Sequence, residues 1–207
     1  TIKSITLNLY LNFWNCPIIE WLNDWGCRQF AIEHHELAKQ ELLNWHIEFS
    51  NQLPVPTANL WELNENDYET LRRAYDSLVN RTASQRRRGN NQTIVRFGPT
   101  GAAKILFSLR PNTYAPWDEP IRDSLGLNGS ADSYIEYLQT INALLNELRP
   151  TCEQHGFTLS ELPNRLLRPH SSVPKLIDEY YWMTITQNWQ PPTSETFRNW
   201  ADWSVAD

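Results

Sequence analysis

At 207 residues the chain has the length of one compact domain, and a hydrophobic content of 41% is enough for a real core. No run approaches the ~18 to 20 apolar residues of a membrane span, and the opening stretch TIKSITLNLYLNFWN has neither a basic leader nor a small-residue cleavage site, so a soluble, unexported protein without a membrane partner is expected. Cys16, Cys27 and Cys152 are odd in number and form no CxxC pair, which argues against a disulfide framework or a thiolate metal site and fits a reducing cytoplasm.

Helical signals dominate, and no pair of alternating strands joined by a hairpin dipeptide stands out, so an all-α domain of about eight to ten helices is predicted. A short helix begins at Pro17 and stops near Gly26. A second runs from about Ala31 to Phe49, with Ile32, Leu37, Leu42, Leu43, Trp45 and Ile47 as its apolar positions. Asn66 and Glu69 read as a capping box for a third, ending near Val79, with Tyr68, Leu71, Tyr75, Leu78 and Val79 inward. NRTASQRRRGNN follows as a polar, basic loop. A fourth helix starts near Gly101 and ends before Pro111, and a short one spans Pro120 to about Leu125. Ser130 caps a long helix carrying Tyr134, Ile135, Leu138, Ile141, Leu144, Leu145 and Leu148, broken at Pro150. Later helices are predicted at Leu159 to Leu167, Val173 to Ile185 and Ser194 to Val205.

Net charge is −6, but its distribution is uneven: between Arg72 and Arg110 nine basic residues face one acid, Asp76, so that segment carries +8 and the remainder −14. Phosphate attraction is local at physiological salt, so one basic face can bind DNA while the acidic remainder repels misdocked DNA. Just beyond the RRR run, Arg96 to Gly126 places a glycine-bounded turn ahead of a helix, a lysine inside that helix, and an acid at the start of the next. Gly98 and Gly101 let a backbone approach closely, and free N–H groups at a helix start form an anion site.

These residues resemble the helix-hairpin-helix base-excision DNA glycosylases. The matching elements are Gly98-Pro99-Thr100-Gly101 as the hairpin, Lys104, Asp118, and Ile121 with Arg122. The resemblance implies an all-α enzyme, with no iron–sulfur cluster here, that grips the phosphate backbone, flips a damaged or modified nucleotide out of duplex DNA and cleaves its N-glycosidic bond at Asp118. Gly98, Thr100 and Gly101, helped by Arg86, Arg87, Arg88 and Arg96, would hold the DNA, and Trp117, Tyr114, Trp14 and Trp21 are candidates to stack on the extruded base. A carboxylate suits this chemistry, since bond cleavage builds positive charge on the sugar, and the hydrolysis needs no metal or cofactor. An amine in the pocket would instead form a Schiff base and nick the strand. Lys104 sits one place later than the family's lysine, so a monofunctional, monomeric enzyme is expected, acting in repair or against modified bases in phage DNA.

For Asp118 the alternative is a helix cap; Glu119, which precedes Pro120, is expected to take that role and leave Asp118 free. His34, His35 and His46 are read as solvent-exposed helix residues, because HHELAK has Lys39 where an HExxH site needs its second histidine. Two rival functions remain. Arg165 and His170 have the spacing of the all-α HEPN-type ribonucleases, although Pro169 should break the helix that would hold the pair, and the basic segment equally suits a non-catalytic helical module that binds DNA or protein. Lys175, Asp178 and Glu179 read as a surface charge cluster, with Ser171 or Ser172 capping their helix.

Overall fold

The computed structural model describes residues 18–88, 91–191, 193 and 195. Helix α1, Ile18–Asp24, buries Ile18, Ile19 and Leu22. A 3-10 turn at Ile32–His34 leads into α2, His35–Phe49, whose buried face is Ala38, Leu42, Trp45 and Phe49. That four-three-four spacing fixes the inward stripe. Ile32 and Ile47, expected to face inward, lie off it and are largely exposed. The three histidines are half-buried rather than solvent-exposed, and His35 Nε2 lies 3.0 Å from Asn23 Nδ2.

After a 3-10 turn at Leu60–Glu62, helix α3 spans Glu65–Val79. Its capping box is Asn64 with Asp67, two residues ahead of the expected pair: the Asn64 side chain accepts from the Asn66 and Asp67 amides. Asn66 therefore sits inside the first turn, where its own amide is one of those being capped.

The segment expected to be a basic loop is a β-hairpin. Strand β1, Thr82–Arg88, pairs antiparallel with β2, Asn91–Arg96, in the register Gln85↔Ile94, Arg86↔Thr93, Arg87↔Gln92, with an irregularity between Thr82 and Ser84. Apart from the exposed Ile94 its outer end is polar, so the apolar alternation that marks a half-buried strand is absent. Among the described residues the fold is thus mostly helical with one small two-stranded sheet, not all-α.

Helix α4, Gly98–Leu109, is buried at every position from Gly101 to Leu109 and forms the centre of the molecule. It follows directly on β2, so the Gly98–Gly101 segment is its first turn and does not join two helices; a helix-hairpin-helix element is not seen at this place. Helix α5, Glu119–Ser124, precedes α6, Ala131–Gln154, which Ser130 caps through the Ser133 amide. α6 runs through Pro150 instead of breaking there. Proline removes one ladder hydrogen bond, and burial of Cys152 two residues later keeps the last turn against the core. Leu144, placed inward by the sequence, is 43% exposed. A 3-10 turn at Leu159–Glu161, helix α7, Leu162–Arg165, helix α8, Val173–Tyr181, and a π-helical turn at Trp182–Thr186 complete the described chain. Of the helix expected at Ser194 to Val205, only Glu195 is among the described residues. No helix among the described residues is long and apolar enough to cross a membrane.

An aromatic cluster ties these layers together. Tyr75 of α3 stacks on Tyr134 of α6 with ring centres 4.4 Å apart, and Trp117 lies 5.1 Å from Tyr134 and 5.3 Å from Tyr137. The Tyr134 and Tyr137 hydroxyls donate to the carbonyls of Ala115 and Pro116, at 2.9 and 3.1 Å. Those bonds pin the loop that delivers Asp118.

Candidate active site

A pocket of about 470 Å³ opens where α4, α5 and α8 meet. Three residues anticipated from the sequence line it: Lys104, Trp117 and Asp118. Opposite them stand Arg168, Lys175, Asp178 and Glu179, with Trp25 as a further wall and the half-exposed Trp182 and Met183 completing it.

Asp118 is held by α5. Its backbone is extended, φ −121° and ψ 177°, and its Oδ1 accepts from the Ile121 amide at 3.2 Å. Asp118, not Glu119, is therefore the cap. Glu119 is the first helical residue, with Pro120 second; proline's restriction on its predecessor does not exclude that position, whereas the cap must be extended. Asp118 nonetheless remains half-buried in the pocket wall, so capping and access to a ligand coexist.

Lys104 is one of the few charged groups on the buried core, 8% exposed. Its Nζ donates to the Trp25 carbonyl at 2.6 Å and lies 4.4 Å from the centre of the Trp25 indole. Burial pushes the ammonium below the usual lysine range; Cys27, Asp118 and Asp178 oppose that shift. On α8, capped by Ser172, the Lys175 ammonium donates to Asp178 Oδ2 at 2.5 Å and lies 3.9 Å from Glu179 Oε1, while Arg168 donates to that same oxygen at 2.9 Å. Asp178 is 8% exposed. Burial lifts its carboxyl above the usual range, with Lys175 pulling the other way and Asp118 adding to the rise.

The remaining expected residues fall elsewhere. Trp117 forms part of the wall but is fully buried: its indole N–H donates to the Pro99 carbonyl at 3.3 Å and the Arg122 guanidinium sits 5.3 Å from its ring centre. It has no open face for a base. Tyr114 is fully buried in the core, away from the pocket lining, and its hydroxyl has no partner among the described residues. Trp21 lines a neighbouring cavity of about 290 Å³ that shares Trp25 and Lys175 with the first. Trp14 lies outside the described residues.

The Gly98–Gly101 turn is engaged with the protein itself. Gly98 has φ +69°; the Pro99 carbonyl accepts from Trp117 and also from the Tyr75 hydroxyl at 3.3 Å; and the Thr100 hydroxyl accepts from Arg122 at 3.0 Å. Gly101 is buried, and a Cβ there would lie 2.6 Å from Gln29 Nε2, so its missing side chain makes room for Gln29 rather than for a phosphate. Of the expected DNA contacts, Arg86, Arg87 and Arg96 are exposed on the hairpin, Arg96 donating to the Asn80 carbonyl. Arg88 is placed by its backbone pairing with Asn91.

Sequence reasoning missed Trp25, Arg168, Asp178 and Trp182. The available signal was the VPKLIDEYY run, which puts Asp178 on the same face as Val173, Pro174 and the partly buried Ile177 and Tyr181. Arg165 and His170 do not form a joint site: Arg165 packs over the Phe157 ring at 5.2 Å, and His170 is exposed in the turn before α8. Among the described residues no three His, Cys, Asp or Glu side chains are grouped to hold a metal ion. Compared with protein-family models, curated proteins and solved structures, the chain matches none of them.

Proposed function

We propose that this chain is a monofunctional DNA glycosylase that flips a modified or damaged base from duplex DNA into the Asp118 pocket and hydrolyses its N-glycosidic bond. The observation that carries the reading is one base-sized pocket in which Asp118, Lys104 and the buried Asp178 converge beside aromatic walls. The exposed arginines of the hairpin supply the attraction for duplex DNA.

In this mechanism the bond between C1′ and the base nitrogen breaks with its electron pair passing to the base. The Asp118 carboxylate stabilises the positive charge that develops on the sugar, then accepts a proton from the water that attacks C1′. Asp178, whose carboxyl burial raises above the usual range against the pull of Lys175, is the acid assigned to protonate the departing base. Solvent exchange resets both carboxyls, and the products are a free base and an abasic site. Trp182, 44% exposed at the pocket, offers the aromatic face on which the base stacks. Lys104 is engaged by the protein, its Nζ donating to the Trp25 carbonyl and lying against the indole, and is given no part in attack on C1′.

The test is incubation with a panel of duplexes carrying alkylated, oxidised and phage-type modified bases, read as alkali-labile sites. Base release from at least one substrate supports the enzyme. DNA binding without release supports the non-catalytic module.

A further inference from the structure

The hairpin is more than a carrier of basic charge. Its inner end is fastened to the body: Ala83 and Ser84 are buried, the Ser84 hydroxyl donates to the Gln29 carbonyl at 2.8 Å, and the Phe97 amide donates to the Arg81 carbonyl at 2.9 Å. Beyond Ser84 both faces of the ribbon lose the protein's cover. Arg86, Arg87, Asn91, Gln92, Thr93 and Ile94 are all exposed, and no third strand covers either edge among the described residues. A bare two-stranded ribbon is marginally stable in water, so an arrangement with no apolar face of its own suits a surface that is completed by a partner.

The partner's charge is legible. No Asp or Glu occurs between Asp76 and Asp118, and among the described residues neither Arg86 nor Arg87 has an ion-pair partner. The cross-strand register sets Arg87 beside Gln92 and Arg86 beside Thr93, with Gln92 bonded to Gln85. Arginine, glutamine and asparagine are the side chains that make paired hydrogen bonds to guanine and adenine edges, and an aliphatic group such as Ile94 suits a thymine methyl.

Resting on the reading of this chain as a duplex-DNA protein, we infer that the outer parts of the two strands, Gln85–Arg87 and Asn91–Ile94, enter the DNA major groove as a two-stranded ribbon. Strands ~4.8 Å apart, with side chains added, are too wide for a minor groove of ~6 Å and match a major groove of ~12 Å. From Gln85 to Arg88 the ribbon extends roughly 10 Å at ~3.3 Å per residue, enough to reach a groove floor ~8.5 Å deep. The deep, narrow major groove of A-form RNA excludes it.

The experiment uses the full chain and a fluorescein-labelled 20-base-pair DNA duplex, with anisotropy as the readout. Competitors are methyl green, which occupies the major groove, and distamycin, which occupies the minor groove; an RNA duplex of the same sequence and the Arg86→Gln/Arg87→Gln variant complete the set. Methyl green should displace the protein and distamycin should not. Both the RNA duplex and the variant should bind roughly tenfold more weakly or worse, with the variant's thermal melt unchanged. Displacement by distamycin alone, equal affinity for the RNA duplex, undiminished binding by the variant, or no DNA binding at all would each overturn the inference. The two readings separate cleanly: groove-specific binding without base release sinks only the glycosylase, and base release by a protein insensitive to methyl green sinks only the ribbon.

Discussion

Replacing Asp118 by asparagine and by alanine separates the two jobs this residue is given. As a cap, Asp118 accepts one hydrogen bond, from the Ile121 amide. Asparagine caps about as well as aspartate, whereas alanine forfeits ~1 kcal/mol, which for a chain of this size lowers Tm by roughly 2–4 °C. The lost attraction of the carboxylate for the helix N-terminus adds at most about 0.5–1 kcal/mol to either variant. As the group that stabilises the sugar cation, Asp118 matters through its charge, which both variants abolish; loss of one such preorganised group costs about 10²–10³ in rate. The predicted pattern is a near-native melt with base release down by that factor for Asp118→Asn, and the same kinetic loss plus a lower melt for Asp118→Ala. Paired measurements of thermal unfolding and single-turnover base release decide it. Wild-type release by Asp118→Asn would leave Asp118 as a cap alone and refute the assignment.

Three further predictions follow from the same geometry. Gly129→Ala would put a Cβ 2.4 Å from Cγ of Pro99, a rigid ring whose carbonyl holds Trp117 and Tyr75, so urea melts should show a loss of ~1–3 kcal/mol; native stability would contradict the packing of the α4 first turn. Because burial raises the Asp178 carboxyl, the stability it contributes is full below the ordinary carboxylate range and is lost as pH rises through the raised value, so Asp178→Asn should gain on wild type as pH increases upward from about 4. A pH-independent difference in urea melts would remove the burial effect. Borohydride reduction in the presence of substrate DNA should trap no covalent adduct, since the Lys104 Nζ is tied to the Trp25 carbonyl; an adduct that disappears in Lys104→Ala would show lyase chemistry instead.

Much of the helical order was legible because it rests on local chemistry: Ser130 and Ser172 cap where expected, and Tyr68, Leu71, Tyr75 and Leu78 repeat at helical spacing on a buried face. The hairpin was not legible from its hydrophobic pattern, because apart from Ile94 its outer residues are polar; the sequence signal for it was Gly89-Asn90, a dipeptide common in tight hairpins. At the site, Lys104, Trp117 and Asp118 lie within one short stretch and do meet in one pocket. Asp178 and Lys175 had the spacing of a solvated surface cluster, and only the docking of α8 beside Trp25 and Lys104 turns their pairing inward. The stacking candidates failed for a related reason: proximity to Asp118 in the chain brought Tyr114 and Trp117 into the core, where hydrogen bonds to the loop backbone and neighbouring rings already occupy the space.

A pocket that uses Asp118 to cut an N-glycosidic bond in DNA must free a base for every abasic site it leaves. Mass spectrometry of nucleobases freed from a panel of damaged, ordinary and phage DNAs, with abasic sites counted in the same samples, tests it most directly. The wild-type protein should release one class of base in equal number to abasic sites, and release should be largely lost with Asp118→Asn. Intact DNA across the whole panel despite saturated binding would contradict it.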